Sequence, residues 1–159
     1  MKIAVIGIGQ DMRGDDGAGL EAVRLWQRTH PDEVGSAGIR LRLITVPGLE
    51  LGDALDGVEA AVVVDATRGI AEPGAVRSCD LSELERSAAG LGSMHGWGLP
   101  EELRLGKLLG QFPPDLVVRL IGIEVAQMQL GSPLSPAVCA ALPVASDRIQ
   151  AEIRHIRQR

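Results

Sequence analysis

The sequence predicts an α/β fold, a three-layer sandwich with helices on both faces of a mostly parallel sheet. Short apolar runs rich in β-branched residues, Ile3–Ile6, Ala60–Val64 and Leu116–Ile123, read as strands covered on both faces. Stretches with helical spacing lie between them, and strand–helix alternation is the signature of a layered, mostly parallel sheet. The length and the 45% hydrophobic content suit one domain, residues 1–159, with a proper core.

The elements follow in order. The run Ile3–Ile6 stops at Gly7, and Gly7, Gly9 and Gly14 loosen a loop that ends in Asp15 and Asp16. Ala18–His30 puts Leu20, Val23 and Trp26 on one helical stripe, with Ala22 and Leu25 beside it and Pro31 closing it. His30 at the helix end reads as structural. Ile39–Val46 alternates loosely and reads as a strand near a sheet edge, broken by Pro47-Gly48 before a short helix, Leu49–Leu55. Ala60–Val64 ends at Asp65. Gly74–Asp80 follows a turn rather than a crossover helix, which suggests an antiparallel edge strand. A short helical piece opens Leu81–Gly92, and a glycine-flanked stretch, Ser93–Leu99, leads into a helix at Pro100–Leu109. After Pro113-Pro114 comes Leu116–Ile123, then a loop. Ser135 and Pro136 then start a last helix. Its apolar positions recur every three or four residues through Ile156, and Pro143 inside it implies a kink or a restart.

Composition excludes several classes. The net charge of -5, with no basic stripe or stacking platform, argues against nucleic acid. No run is long enough to span a bilayer and no signal peptide is visible, so a cytoplasmic location and no membrane partner are expected. Phe112, Trp26 and Trp97 are the only aromatic residues, too few for a large aromatic-lined pocket. Cys79 and Cys139 form no CxxC pair and read as reduced packing residues.

Strand, glycine loop and helix suggest a nucleotide site, but its details do not. Met12 stands where GxGxxG spacing needs its third glycine, and no GK[ST] follows. Asp15 and Asp16 at a helix N-terminus repel phosphate and invite a cation; the plainer alternative is that one caps the helix and the other is solvated. Asp65 ends a core strand, where open α/β sheets bind ligands, or else it bonds loop amides. His95 is either a surface loop residue or a ligand. If the loops after the strands share one rim, Asp16, Asp65 and His95 converge. Two carboxylates and an imidazole suit zinc, nickel or iron and leave positions open for water or substrate. HExxH, GxSxG and catalytic-cysteine signatures are absent.

The sequence resembles the maturation endopeptidases of nickel–iron hydrogenases over nearly its whole length. The resemblance is carried by Gly7-Ile8-Gly9-Gln10 through Gly14-Asp15-Asp16-Gly17-Ala18-Gly19, close to that family's GxGNxLxxDDGxG opening. It continues in Val63-Val64-Asp65-Ala66, Ser93-Met94-His95 with Gly98-Leu99, Leu120-Ile121-Gly122-Ile123-Glu124, and Leu134-Ser135-Pro136. Gln10 replaces the usual Asn and Met12 the usual Leu. Val46–Leu51 lacks a DGGT and looks like the branch with a leucine–glutamate pattern.

The resemblance implies a five-stranded α/β sandwich and a metal-contacting, catalytic trio at Asp16, Asp65 and His95. It implies a metal-dependent endopeptidase that removes the C-terminal extension of a hydrogenase large-subunit precursor once nickel is inserted. The nickel would be carried by that partner, with zinc or another divalent ion as a surrogate. Asp15 is expected to cap or to support the trio, and Gln10 to shape the loop. Water is the expected attacking group, since no activated Ser or Cys is apparent. The oligomeric state is left open. The rivals are a free-standing peptidase with its own zinc, acting on small peptides, and a non-catalytic nucleotide- or effector-binding domain.

Overall fold

The computed structural model describes residues 1–34, 38–45, 49–86 and 99–159. Its five strands are β1 (Ile3–Ile8), β2 (Ile39–Ile44), β3 (Ala60–Thr67), β4 (Val76–Asp80) and β5 (Val117–Glu124). Its helices are α1 (Ala18–Thr29), α2 (Leu49–Leu55), α3 (Leu81–Arg86), α4 (Leu99–Leu108) and α5 (Pro136–Arg157), with a 3-10 turn at Gly14–Gly17. The sheet order is β2-β1-β3-β5-β4. Four strands are parallel, and β4 alone runs antiparallel, at the edge beside β5. The expected sandwich, its mostly parallel sheet and the antiparallel edge strand are therefore present.

Strand alternation divides the core into two layers. Ile3, Val5, Val62, Val64, Ile121 and Ile123 pack with Val23 and Trp26 of α1 and with Ile149 and Ile153 of α5. Ala4, Ile6, Ala61, Val63 and Leu120 face the other way, onto Leu51 and Leu55 of α2, Leu103 of α4, and Phe112. Trp26 is fully buried, and its indole N–H donates to Gln150 Oε1 at 3.0 Å, so α1 and α5 share a polar tie inside an apolar layer. His30 stacks on Trp26, with ring centroids 5.7 Å apart, in the structural role its position suggested.

Three local expectations need correction. Gly7 does not end β1, which continues to Ile8. Gly7 is instead a contact point, because a Cβ there would lie 2.7 Å from the Gly19 carbonyl oxygen of α1. Pro143 neither ends nor restarts α5, which runs unbroken from Pro136 to Arg157. The proline is exposed, and so is Cys139 four residues before it, so the carbonyl left without an N–H partner faces water rather than the core. Cys139 is thus a surface residue, whereas Cys79 packs at the margin of the second layer. The edge strand β2, the helix Leu49–Leu55 and the Ser135 cap, whose hydroxyl accepts from the Val138 amide at 3.3 Å, are as read. No described helix is long and apolar enough to cross a membrane.

Candidate active site

The connection from β1 leads to β2 on one side, and the next crossover returns to β3 on the other. The strand order therefore reverses between β1 and β3, which leaves a crevice beyond their carboxyl ends. Both expected acids lie near these strand ends. Asp16 lies in the 3-10 turn that follows β1, and Asp65 lies on β3, one residue past the Gly7–Val64 register pair. Asp16 is fully buried and Asp65 is 6% exposed.

Close backbone packing sets the turn. A Cβ on Gly19 would meet the carbonyl oxygens of Val64 and of Ile8, the latter at 2.5 Å. Only glycine lets α1 start directly on the ends of β1 and β3. Gly14 enters the turn with φ 58°, in the left-handed region.

Asp65 differs in detail from its expected place. It is not the last residue of the strand, because β3 continues to Thr67. By alternation Asp65 and Thr67 share the face of Ala61 and Val63, beside Gly122 and Glu124 of β5. Gly122 stands directly across from Asp65, so β5 lays no side chain over the carboxylate. Asp65 Oδ1 accepts from the Ala66 amide at 2.8 Å.

Two further carboxylates hold the surrounding loops. Asp15, fully buried, does not cap α1, whose N-cap position is Gly17 with no side-chain cap. Its Oδ2 accepts from the amides of Ala126 (2.8 Å) and Gln127 (3.1 Å), and its Oδ1 from that of Ser135 (2.6 Å). It ties the β1–α1 loop to the β5–α5 loop, and backbone bonds from Gly14 to Ser132 and from Asp15 to Gln127 reinforce the tie. Glu124, 2% exposed, acts likewise on the loop after β3. It accepts from the Thr67 hydroxyl at 3.0 Å, from the Ile70 amide at 3.2 Å and from the Gly69 amide. Sequence reading gave Glu124 no role, although an acid closing an apolar strand was the available signal.

A third tie reaches the outer part of the first loop. Arg24 of α1 grips Asp11 with two bonds, 2.7 and 2.9 Å, and also bonds Glu21 at 2.6 Å. The Arg24 hydrogen bond holds the Asp11 carboxyl below its ordinary range. The Glu21–Arg24 pair is the i,i+3 kind that helix spacing brings together, whereas the tie to Asp11 is tertiary.

His95 lies outside the described residues. The reason given for placing it at this rim changes, because β4 is antiparallel and ends at Asp80, opposite Arg119 near the start of β5. The chain after β4 thus leaves at the amino-terminal ends of the parallel strands, opposite the ends near Asp16 and Asp65. Among the described residues no three His, Cys, Asp or Glu side chains form a metal-holding group.

A family model described as hydrogenase maturation protease matches residues 47–152. The chain belongs to this family. Within the family, it is 31% identical over 139 residues to the hydrogenase expression/formation protein HupD of Thiocapsa roseopersicina, covering 86% of this chain and 61% of that relative. The chain therefore spans less than two thirds of that relative's length. It is 32% identical over 143 residues to HupD of Bradyrhizobium diazoefficiens, covering 86% of this chain and 70% of the relative. The solved [NiFe] hydrogenase maturation protease HybD from Thermococcus kodakarensis superposes with a TM-score of 0.77 at 25% identity, over 95% of this chain and 98% of that one. The maturation-protease fold of this chain thus carries two buried acids at its sheet reversal and two carboxylate-braced loops beside them.

Proposed function

We propose that this chain is an endopeptidase that removes the C-terminal extension of a nickel–iron hydrogenase large-subunit precursor after nickel insertion. It reads the nickel carried by that substrate through Asp16, Asp65 and His95. What supports this reading is that two buried acids, Asp16 after β1 and Asp65 near the end of β3, belong to adjacent strands where the strand order reverses, in a chain of the maturation protease family.

In this reading the precursor tail lies along the carboxyl rim of β1 and β3. The substrate-borne nickel meets the two carboxylates and the imidazole, a mixed oxygen and nitrogen set suited to a borderline divalent ion. That contact fixes the scissile peptide and polarises its carbonyl. Water adds to the carbonyl carbon, the C–N bond breaks, and the proton released by water goes to the leaving amine. Asp15 and Glu124 take no part in the chemistry. They hold the loops that carry Asp16 and flank Asp65, with five backbone amides and one hydroxyl between them.

The test is cleavage of nickel-loaded precursor by Asp16→Asn, Asp65→Asn and His95→Ala. Partners that only support metal ligands shift affinity or activity by roughly 10–100-fold, so each variant should lose at least that much. Near-normal processing by all three would end the proposal. Rapid cleavage of nickel-free precursor by the wild type would show that the nickel is not read.

A further inference from the structure

Met12 and Leu130 are among the most exposed large apolar residues of the described chain, at 70% and 73%. They come from loops more than a hundred residues apart, yet the Gly131 amide donates to the Met12 carbonyl at 2.7 Å, which brings the two loop tips together. The backbone of both tips is held. Arg24 pins Asp11 immediately before Met12, and Asp15 holds the second loop by three amides. Within the second loop, Gln127 accepts from the Gln129 amide at 2.8 Å and donates to the Pro133 carbonyl at 2.9 Å. Met12 belongs to the same β1–α1 connection as Asp16, whose amide donates to the carbonyl of Arg13, the residue after Met12.

We propose that Met12 and Leu130 form a pre-set apolar lip that seats an apolar side chain of the precursor polypeptide beside the bond to be cut. The inference rests on the function proposed above. Two side chains are far too little surface for a stable dimer, which buries about 1,600 Å² in all. They match one side chain of an extended segment. Holding the lip rigid in the free protein lowers the ordering cost when that segment arrives.

The experiment compares wild type, Met12→Asp, Leu130→Asp, the double variant and Val144→Asp in processing of nickel-loaded precursor, with a melting curve for each. Val144 is 52% exposed on α5, across the sheet from the face of Asp65, and serves as the control. Loss of a contact made equally in the bound and transition states raises KM and leaves kcat alone. The double variant should raise KM roughly tenfold or more, keep kcat within about twofold and keep the wild-type melting temperature, while Val144→Asp stays like wild type. An unchanged KM in the double variant, or an equal rise in Val144→Asp, overturns the lip while leaving the protease reading intact. A wild type that does not cleave the loaded precursor overturns the protease reading, and the lip falls with it.

Discussion

Replacing Asp15 by Ala tests whether the two neighbouring acids divide their labour. The side chain is fully buried and accepts three amide bonds, at 2.6, 2.8 and 3.1 Å. Bonds to a charged acceptor are each worth roughly 1.5–3 kcal/mol, and a buried donor left unpaired costs about 1–3 kcal/mol. The Ser135 bond is buried, so its loss should count in full. The Ala126 and Gln127 amides are only part-buried and can turn to water, so each should count for about a third to a half of that value. The expected loss is roughly 3–5 kcal/mol, a large share of the ~5–15 kcal/mol that holds a typical domain folded. Asp15→Asn keeps one acceptor oxygen but turns an NH2 toward at least one donor amide. It should fall between wild type and Asp15→Ala. Urea unfolding followed by circular dichroism measures both. An Asp15→Ala protein within about 0.5 kcal/mol of wild type would refute the clamp, since surface substitutions alone stay within that range.

Other outcomes follow from the same contacts. Gly19→Ala drives a Cβ into the carbonyl oxygens of Val64 and Ile8, neither of which can move without shifting a strand. It should cost several kcal/mol or prevent soluble expression, visible in a thermal melt. Glu152, 8% exposed by side chain, pairs with Arg119 at 2.8 Å. Burial alone would raise its carboxyl, but hydrogen bonds from Arg119 and Ser78, with the Arg119 charge, together outweigh that and hold it below the ordinary value. The unfolded chain then binds the proton at higher pH than the native one. Stability from this pair is therefore complete above the unfolded pKa of about 4.3 and is lost as pH falls through the lower folded value. Glu152→Gln should be less stable by roughly 1–3 kcal/mol at neutral pH, with the difference shrinking in acid; an equal gap at every pH would contradict the assignment.

The fold was readable because its signals are local. Apolar runs of four to eight residues, prolines at helix starts and a turn before the edge strand each constrain their own segment. The candidate site was readable only in part. Asp16 and Asp65 each follow a core run and so could be placed at a strand end from neighbours in sequence. The ties between loops could not, because Asp15 meets Ser135 across 120 residues and Glu124 meets Gly69 across 55. No periodicity reports such pairs. The restart that Pro143 suggested does not occur, for a related reason. Whether a missing N–H matters depends on whether the orphaned carbonyl faces water, and exposure is a tertiary property.

A physical reason favours carboxylates for the bracing. Each loop at the rim leaves several amides that no helix or strand can pair, and buried amides must find acceptors. A neutral side chain offers one oxygen, whereas a carboxylate offers two with about four acceptor positions and makes charge-assisted bonds roughly twice as strong. Asp15 and Glu124 each use both oxygens, and each takes three donors from a segment distant in sequence. The rim is therefore held in good part by Asp15 and Glu124, neighbours of the candidate acids. A bracing acid, Asp15, and a candidate site acid, Asp16, thus sit side by side in one Asp-Asp pair.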